Sequence, residues 1–241
     1  MSLRIGIDLD GVLADMQAAL RREAELLFGP RPQPPDSQTE ASAEELAETA
    51  AVAADEGDAP PELTDVPTDR QPLTIRQQRK LWKHVARVEG FWEGLEEIEP
   101  GAVARLASLA TEHGWNVIFL TQRPETAGDT AQRQTQRWLQ QRGFDLPSVF
   151  IVPGYARGRV ADALSLDVVI DDRPSNCIEI AVDSKARPLL IWRDRTSVPP
   201  NVKPMGIVVV ETVMEALDAL GASAGTGERR GVVARLKSLF L

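Results

Sequence analysis

Short apolar runs rich in Val, Ile and Leu recur along the chain, separated by longer stretches with helical spacing. Leu3–Leu9 is the first such run and, short and rich in β-branched apolar residues, predicts a buried strand. Met16–Phe28 follows, with Met16, Leu20, Ala24 and Leu27 on one helical face. Thr74–Val88 predicts a helix broken by Gly90-Phe91-Trp92. Pro100–His113 predicts another, with Pro at its start and Gly114 after its end. Val117–Leu120, Val149–Val152, Asp167–Ile170, Leu189–Trp192 and Ile207–Val210 predict strands. Thr126–Arg142, Arg159–Leu164 and Thr212–Leu220 predict helices, and Arg173-Pro174 starts a helical turn, since Pro fits a first helical position. Strands alternating with helices imply an α/β domain with a Rossmann-like parallel sheet, right-handed crossovers and helices on both faces.

One segment breaks the alternation. Gly29–Pro72 holds eight prolines and no aromatic residue, with eleven Asp or Glu against two Arg. It buries too little apolar surface to offset the entropy of ordering it, and predicts a flexible acidic insertion, with a short helix over Glu44–Ala54. The whole chain carries a net charge of −9. The segment carries −9 by itself (two minus eleven), so the rest is near neutral. Its repulsion of phosphates argues against a nucleic acid polymer as partner.

The remaining composition narrows the class further. Hydrophobic residues make up 43% of the chain, as in soluble globular proteins. No apolar run approaches the roughly 18 residues of a membrane span. The N-terminus enters a strand without a leader, which predicts a cytoplasmic protein. Cys177 is the sole cysteine, and His84 and His113 the only histidines, so neither a disulfide nor a Cys/His zinc site is expected. Gly221–Gly227 has linker composition, and the stretch after it places Val232, Val233, Leu236, Leu239 and Phe240 on one helical face beside Arg235 and Lys237. Such a basic amphipathic helix can pack on its own domain, on a homodimer mate or another partner, or weakly on an anionic membrane.

In parallel sheets ligands bind at the carboxyl ends of strands. Three polar clusters stand there: Asp8 to Asp15, Thr121-Gln122-Arg123, and Asp171-Asp172-Arg173. Asp8 and Asp10 are two residues apart, so they can point to one side of the sheet. Carboxylates that close repel unless a cation lies between them. Magnesium fits, since it prefers oxygen ligands and is usually held by one or two carboxylates plus substrate phosphate. Asp171 and Asp172 can complete the set from a neighbouring strand, and Gly11 lets the backbone turn so that amides face a phosphate.

Asp8-Leu9-Asp10-Gly11-Val12-Leu13-Ala14-Asp15 resembles the first signature of haloacid dehalogenase superfamily phosphatases. Phe119-Leu120-Thr121 is similar to the second, and Val168-Val169-Ile170-Asp171-Asp172 to the fourth. The resemblance implies that Asp8 attacks phosphorus, that Asp10 serves as acid and then base, and that Thr121 donates to a phosphoryl oxygen. It implies Mg2+ held by Asp8, the Asp10 carbonyl and the Asp171-Asp172 pair, with Asp172 preferred. The second Asp favours phosphoryl chemistry over dehalogenation. No Lys lies between Thr121 and Asp171. Arg157 stands nearest the place of the family's phosphate-holding Lys, with Arg159 as second choice.

The resemblance also makes residues 1–15 and 97–221 a core and 16–96 a mostly helical cap inserted after the first strand, with 222–241 left as the linker and terminal helix. Phe91-Trp92 and Asp171-Asp172-Arg173-Pro174 resemble the 5′(3′)-deoxyribonucleotidase branch, where an aromatic pair lines a nucleobase pocket. Plain packing between cap and core is the other role open to Phe91 and Trp92. Gln122-Arg123 departs from that branch. Arg123 can meet substrate phosphate or a carboxylate, or pair with Asp172. The expected activity is hydrolysis of a small phosphorylated metabolite, possibly a (deoxy)nucleoside monophosphate. A second function stays open, a binding protein of the same fold that holds a phosphorylated ligand or partner.

Overall fold

The computed structural model of the protein describes residues 2–29 and 73–224. The expectations for the acidic insertion and for the amphipathic C-terminal helix lie outside those residues.

Six parallel strands form one sheet: β1 (Arg4–Asp8), β2 (Asn116–Thr121), β3 (Ser148–Ile151), β4 (Val168–Asp171), β5 (Arg187–Ile191) and β6 (Val208–Val210). Their order is β3-β2-β1-β4-β5-β6. The helices are α1 (Met16–Phe28), α2 (Ile75–Val85), α3 (Ala102–His113), α4 (Ala131–Gln141), α5 (Arg157–Ala163), α6 (Pro174–Asp183) and α7 (Val213–Ala224). The expected α/β fold with a Rossmann-like parallel sheet is the one observed.

Alternation along the strands sorts the core into two sides. Ile5, Ile7, Val117, Phe119, Val168 and Ile170 share one cluster with Leu106 of α3, Trp138 of α4 and Leu217 of α7. Ile118, Leu120 and Val169 join the other, with Ala161 of α5 and Ile180 of α6. A strand with aliphatic residues at every position is therefore read by helices on both faces. Gly6 belongs to the second side, where a Cβ would stand 2.7 Å from Leu166 Cδ1.

Several boundaries differ from expectation. Helix α4 begins at Ala131 and not at Thr126. Pro124 disfavours helix in the residue before it. Thr130 then caps the helix by accepting from the Arg133 amide, while Glu125 accepts from the Ala131 amide. Helix α5 starts two residues early, at Arg157. Pro174 opens a helix of 10 residues. Residues 221–224 are helical where a linker was expected. Gly221 there serves close packing, because a Cβ would stand 3.2 Å from Leu109 Cδ2.

Helices α1 and α2 pack as a pair, joined by His84 and Glu23 at 2.7 Å. The two chain crossings between this pair and the sheet are bonded to each other. The Asp15 amide donates to the Glu96 carbonyl at 2.9 Å and the Ile98 amide to the Leu13 carbonyl at 2.9 Å. The pair is thereby held over the carboxyl end of β1.

Candidate active site

The chain runs from β1 outward to β2 and β3, then returns to place β4 on the other side of β1. A crevice opens where the strand order reverses, outside the carboxyl ends of β1 and β4. Ile7 is level with Ile170, so the next residues, Asp8 and Asp171, stand side by side. The pocket found there is lined by Asp8, Asp10, Thr121, Gln122, Arg157 and Asn176 among others.

Asp8 is buried at the end of β1. Arg157, from the first position of α5, donates through Nη2 to Asp8 Oδ1 and brings Nε within 4.0 Å of Asp171 Oδ2. Arg157 Nη1 is buried with no hydrogen-bond partner among the described residues. Burial holds the Asp8 carboxyl well above the usual carboxylate range. Arg157 opposes that shift, and Asp171, Asp172 and Asp10 reinforce it. Burial also weakens the charge on Arg157, but Asp8 and Asp171 more than restore it. Gly158 permits this arrangement, since a Cβ there would collide with the Glu179 carbonyl of α6.

Arg157 and not Arg159 therefore meets the nucleophile candidate. Arg159 is exposed and turns back to donate to the Tyr155 carbonyl at 3.1 Å. Two residues apart at a helix start, the two side chains leave the axis in very different directions.

The acidic pair is divided by its surroundings. Asp171 accepts from the Arg173 amide at 2.9 Å and from Asn176 Nδ2 at 3.1 and 3.0 Å. Asp172 Oδ1 is buried without a partner among the described residues. Burial, then repulsion from Asp171, pushes the Asp172 carboxyl up to about 7.

Asp10 faces a different set of groups. Arg123 Nε donates to its Oδ2 at 2.9 Å and Nη2 to its Oδ1 at 2.8 Å, and Thr121 Oγ1 approaches Oδ2 at 3.2 Å. Arg123 thus pairs with Asp10 and not with Asp172, at the border of the pocket. Nε and Nη2 are engaged by that carboxylate and Nη1 by Thr135 Oγ1, where a phosphate ligand was expected.

Phe91 and Trp92 stand differently toward the pocket. Both are buried, Trp92 completely, and their rings meet edge to face at 4.9 Å. Trp92 Nε1 donates to the Pro124 carbonyl at 3.0 Å. Trp92 still lines the pocket; Phe91 does not, whereas Trp82 and Met16 from α2 and α1 do. The Gly11 amide donates to the Ala14 carbonyl at 3.1 Å, so it closes a turn and is not free to face a phosphate. Asp15 is a helix cap that accepts from the Ala18 amide at 2.8 Å.

Asn176 was missed by sequence reasoning. It lies one turn into α6, and only the Pro174 start signal could have placed it near the strand end.

As for a metal, no three His, Cys, Asp or Glu side chains among the described residues form a ready-made cluster. Asp10 is turned to Arg123 and is not a side-chain ligand here. The partnerless Asp172 Oδ1 and the mutual repulsion of Asp8, Asp171 and Asp172 fit a hard cation with oxygen ligands.

No protein-family model and no curated protein matches the sequence significantly. Among solved structures, a haloacid dehalogenase (HAD) family hydrolase from Deinococcus radiodurans R1, with bound phosphate and sodium, is 16% identical with a TM-score of 0.52, and the match covers 93% of this chain and 96% of that one. A Thermotoga maritima protein provisionally assigned as a beta-phosphoglucomutase is 19% identical with a TM-score of 0.51, covering 91% and 99%. The chain shares the fold of these HAD-family structures.

Proposed function

We propose that this protein is a magnesium-dependent phosphomonoester hydrolase of the haloacid dehalogenase superfamily, working through an aspartyl-phosphate on Asp8. The observation that carries the reading is Asp8 at a buried strand end, bonded to Arg157, whose Nη1 is a buried donor without a partner among the described residues. A substrate phosphoryl group is the natural acceptor for it.

In the first step an Asp8 oxygen attacks phosphorus, the bond to the leaving oxygen breaks, and Asp10 gives that oxygen its proton. In the second, Asp10 takes a proton from water, the water oxygen attacks phosphorus, and the bond to Asp8 breaks to release inorganic phosphate. Arg157 holds phosphoryl oxygens throughout, and the Thr121 hydroxyl turns to them as substrate enters. Asp8, the Asp10 carbonyl, Asp171 and Asp172 would hold Mg2+, which neutralises charge that otherwise repels the nucleophile.

The α1–α2 pair acts as the cap, with residues 16–96 as its span. Met16 and Trp82 give the leaving group an apolar wall. That wall favours a flat substrate such as a nucleoside monophosphate, since aromatic side chains stack on bases for about 1–3 kcal/mol each.

The close pairing of Arg157 with Asp8 favours a second reading, a protein of this fold that binds a phosphorylated ligand without turning it over. One experiment separates the two. Phosphate release is measured from nucleoside monophosphates, sugar phosphates and an aryl phosphate, with and without Mg2+, beside Asp8→Asn and Asp10→Asn. Magnesium-dependent turnover lost in both variants supports the hydrolase. Turnover no higher than that of Asp8→Asn on every compound supports the binder.

A further inference from the structure

We infer that Arg123 is a positioning residue for Asp10, seated on two tryptophans, and that it sets the efficiency of proton transfer to the leaving group without touching substrate. The inference rests on the proposed role of Asp10 as acid and base.

The geometry is that of a clamp. Arg123 grips Asp10 with two parallel bonds, Nε to Oδ2 at 2.9 Å and Nη2 to Oδ1 at 2.8 Å. Such forked pairs fix a carboxylate in plane as well as in distance. The remaining nitrogen, Nη1, donates to Thr135 Oγ1 of α4 at 2.9 Å. All three nitrogens are committed to protein, and the side chain of Arg123 is fully buried. A buried arginine whose three nitrogens all bond neighbouring side chains is placed to hold those side chains in position.

Its seat is equally specified. The guanidinium carbon lies 4.8 Å from the ring centre of Trp92 and 6.0 Å from that of Trp138, within reach of cation–π attraction. Trp92 is fixed by its bond to the Pro124 carbonyl. Trp138 is fixed by donating from Nε1 to the Leu95 carbonyl at 2.7 Å. Each ring is thus tied to a neighbouring backbone, so the seat cannot follow small movements of Asp10. This explains why two large aromatics are buried beside a polar pocket. They hold the base of the clamp, and Gln134 Oε1 accepts the Trp92 amide at 3.2 Å to complete it.

The test uses Arg123→Lys, which keeps the charge and loses the fork, and Thr135→Ala, which removes only the third anchor. Both are compared with Asp10→Asn and with the double variant Arg123→Lys/Asp10→Asn. Substrates run from a dinitrophenyl phosphate, whose leaving group departs without a proton, to an alkyl phosphate, whose leaving group needs one. The rate of the first alcohol or phenol released by stoichiometric enzyme reports phosphorylation of Asp8 alone.

The clamp predicts that Arg123→Lys loses about 10²-fold on the alkyl ester and less than about threefold on the dinitrophenyl ester, the span of general acid catalysis. Thr135→Ala loses less in the same pattern, and the double variant is no slower than Asp10→Asn. Loss independent of the leaving group, or losses that multiply in the double variant, overturn the inference while leaving the hydrolase intact. If Arg123→Lys does not fold by circular dichroism, Thr135→Ala decides by the same pattern. A wild type that releases nothing from any ester overturns the hydrolase reading and this inference with it.

Discussion

Gly11 and Asp172 are in direct contact: a Cβ built on Gly11 would overlap Asp172 Oδ2. Gly11 also has φ +89°, a left-handed backbone that side chains resist. The loop after β1 is therefore shaped against the acidic pair after β4. Arg193 braces it by donating to the Gly11 carbonyl at 2.9 Å. Gly11→Ala is expected to lower stability by about 1–3 kcal/mol through strain at this φ and to displace Asp172. Chemical denaturation and Mg2+ titration of the variant check both effects.

Arg157 stands between Asp8 and Asp171. Arg157→Ala leaves those carboxylates buried without their cation, so folding is expected to weaken by about 3–5 kcal/mol and turnover to vanish. Arg157→Lys restores the charge, and is expected to recover stability more fully than rate. Denaturation midpoints and kcat for the two variants test the difference.

Asp172 ties stability to pH. Its carboxyl is pushed up to about 7 from the ordinary carboxylate value of 3.8, so between those values the folded protein binds more protons than the unfolded one. Stability from this group is full below the unfolded value and lost as pH rises through about 7. Without divalent cation, Tm is expected to fall from pH 5 to pH 8 in the wild type and to fall less in Asp172→Asn. Added Mg2+ should raise the wild-type Tm most at pH 8, where the site is ionised. Melting curves across that range, with a chelator or with Mg2+, provide the check.

Trp92 and Trp82 both border the pocket but differ in burial. Trp92→Ala empties a closed site and is expected to cost about 3–5 kcal/mol of stability. Trp82→Ala, on α2, is expected to leave Tm within a few degrees and to raise KM for substrates with a flat leaving group. Melting curves and KM values on a nucleoside monophosphate and on a small alkyl phosphate separate the two roles.

Local sequence determined the larger part of this protein. Short apolar runs such as Val117–Leu120 specified buried strands, and the polar residues that end them lie at carboxyl ends by construction. The order of the clusters after β1, β2 and β4 therefore pointed to one crevice before any contact was known. The helix on Met16–Phe28 followed from its apolar period, and the structure adds Asp15 as its cap. What tertiary structure alone decided is which side chains meet. Arg123 found Asp10 across 113 positions of sequence, and helix phase at the start of α5 brought in Arg157 and left Arg159 outside. Packing took Phe91 out of the pocket and kept Trp92 in its lining, and contact with Leu109 kept Gly221 helical where composition alone read as a linker. The reason is physical. Periodicity and turn chemistry act over a few residues and are written locally. The partner of a buried charge is set by strand register and helix approach, which depend on the whole core.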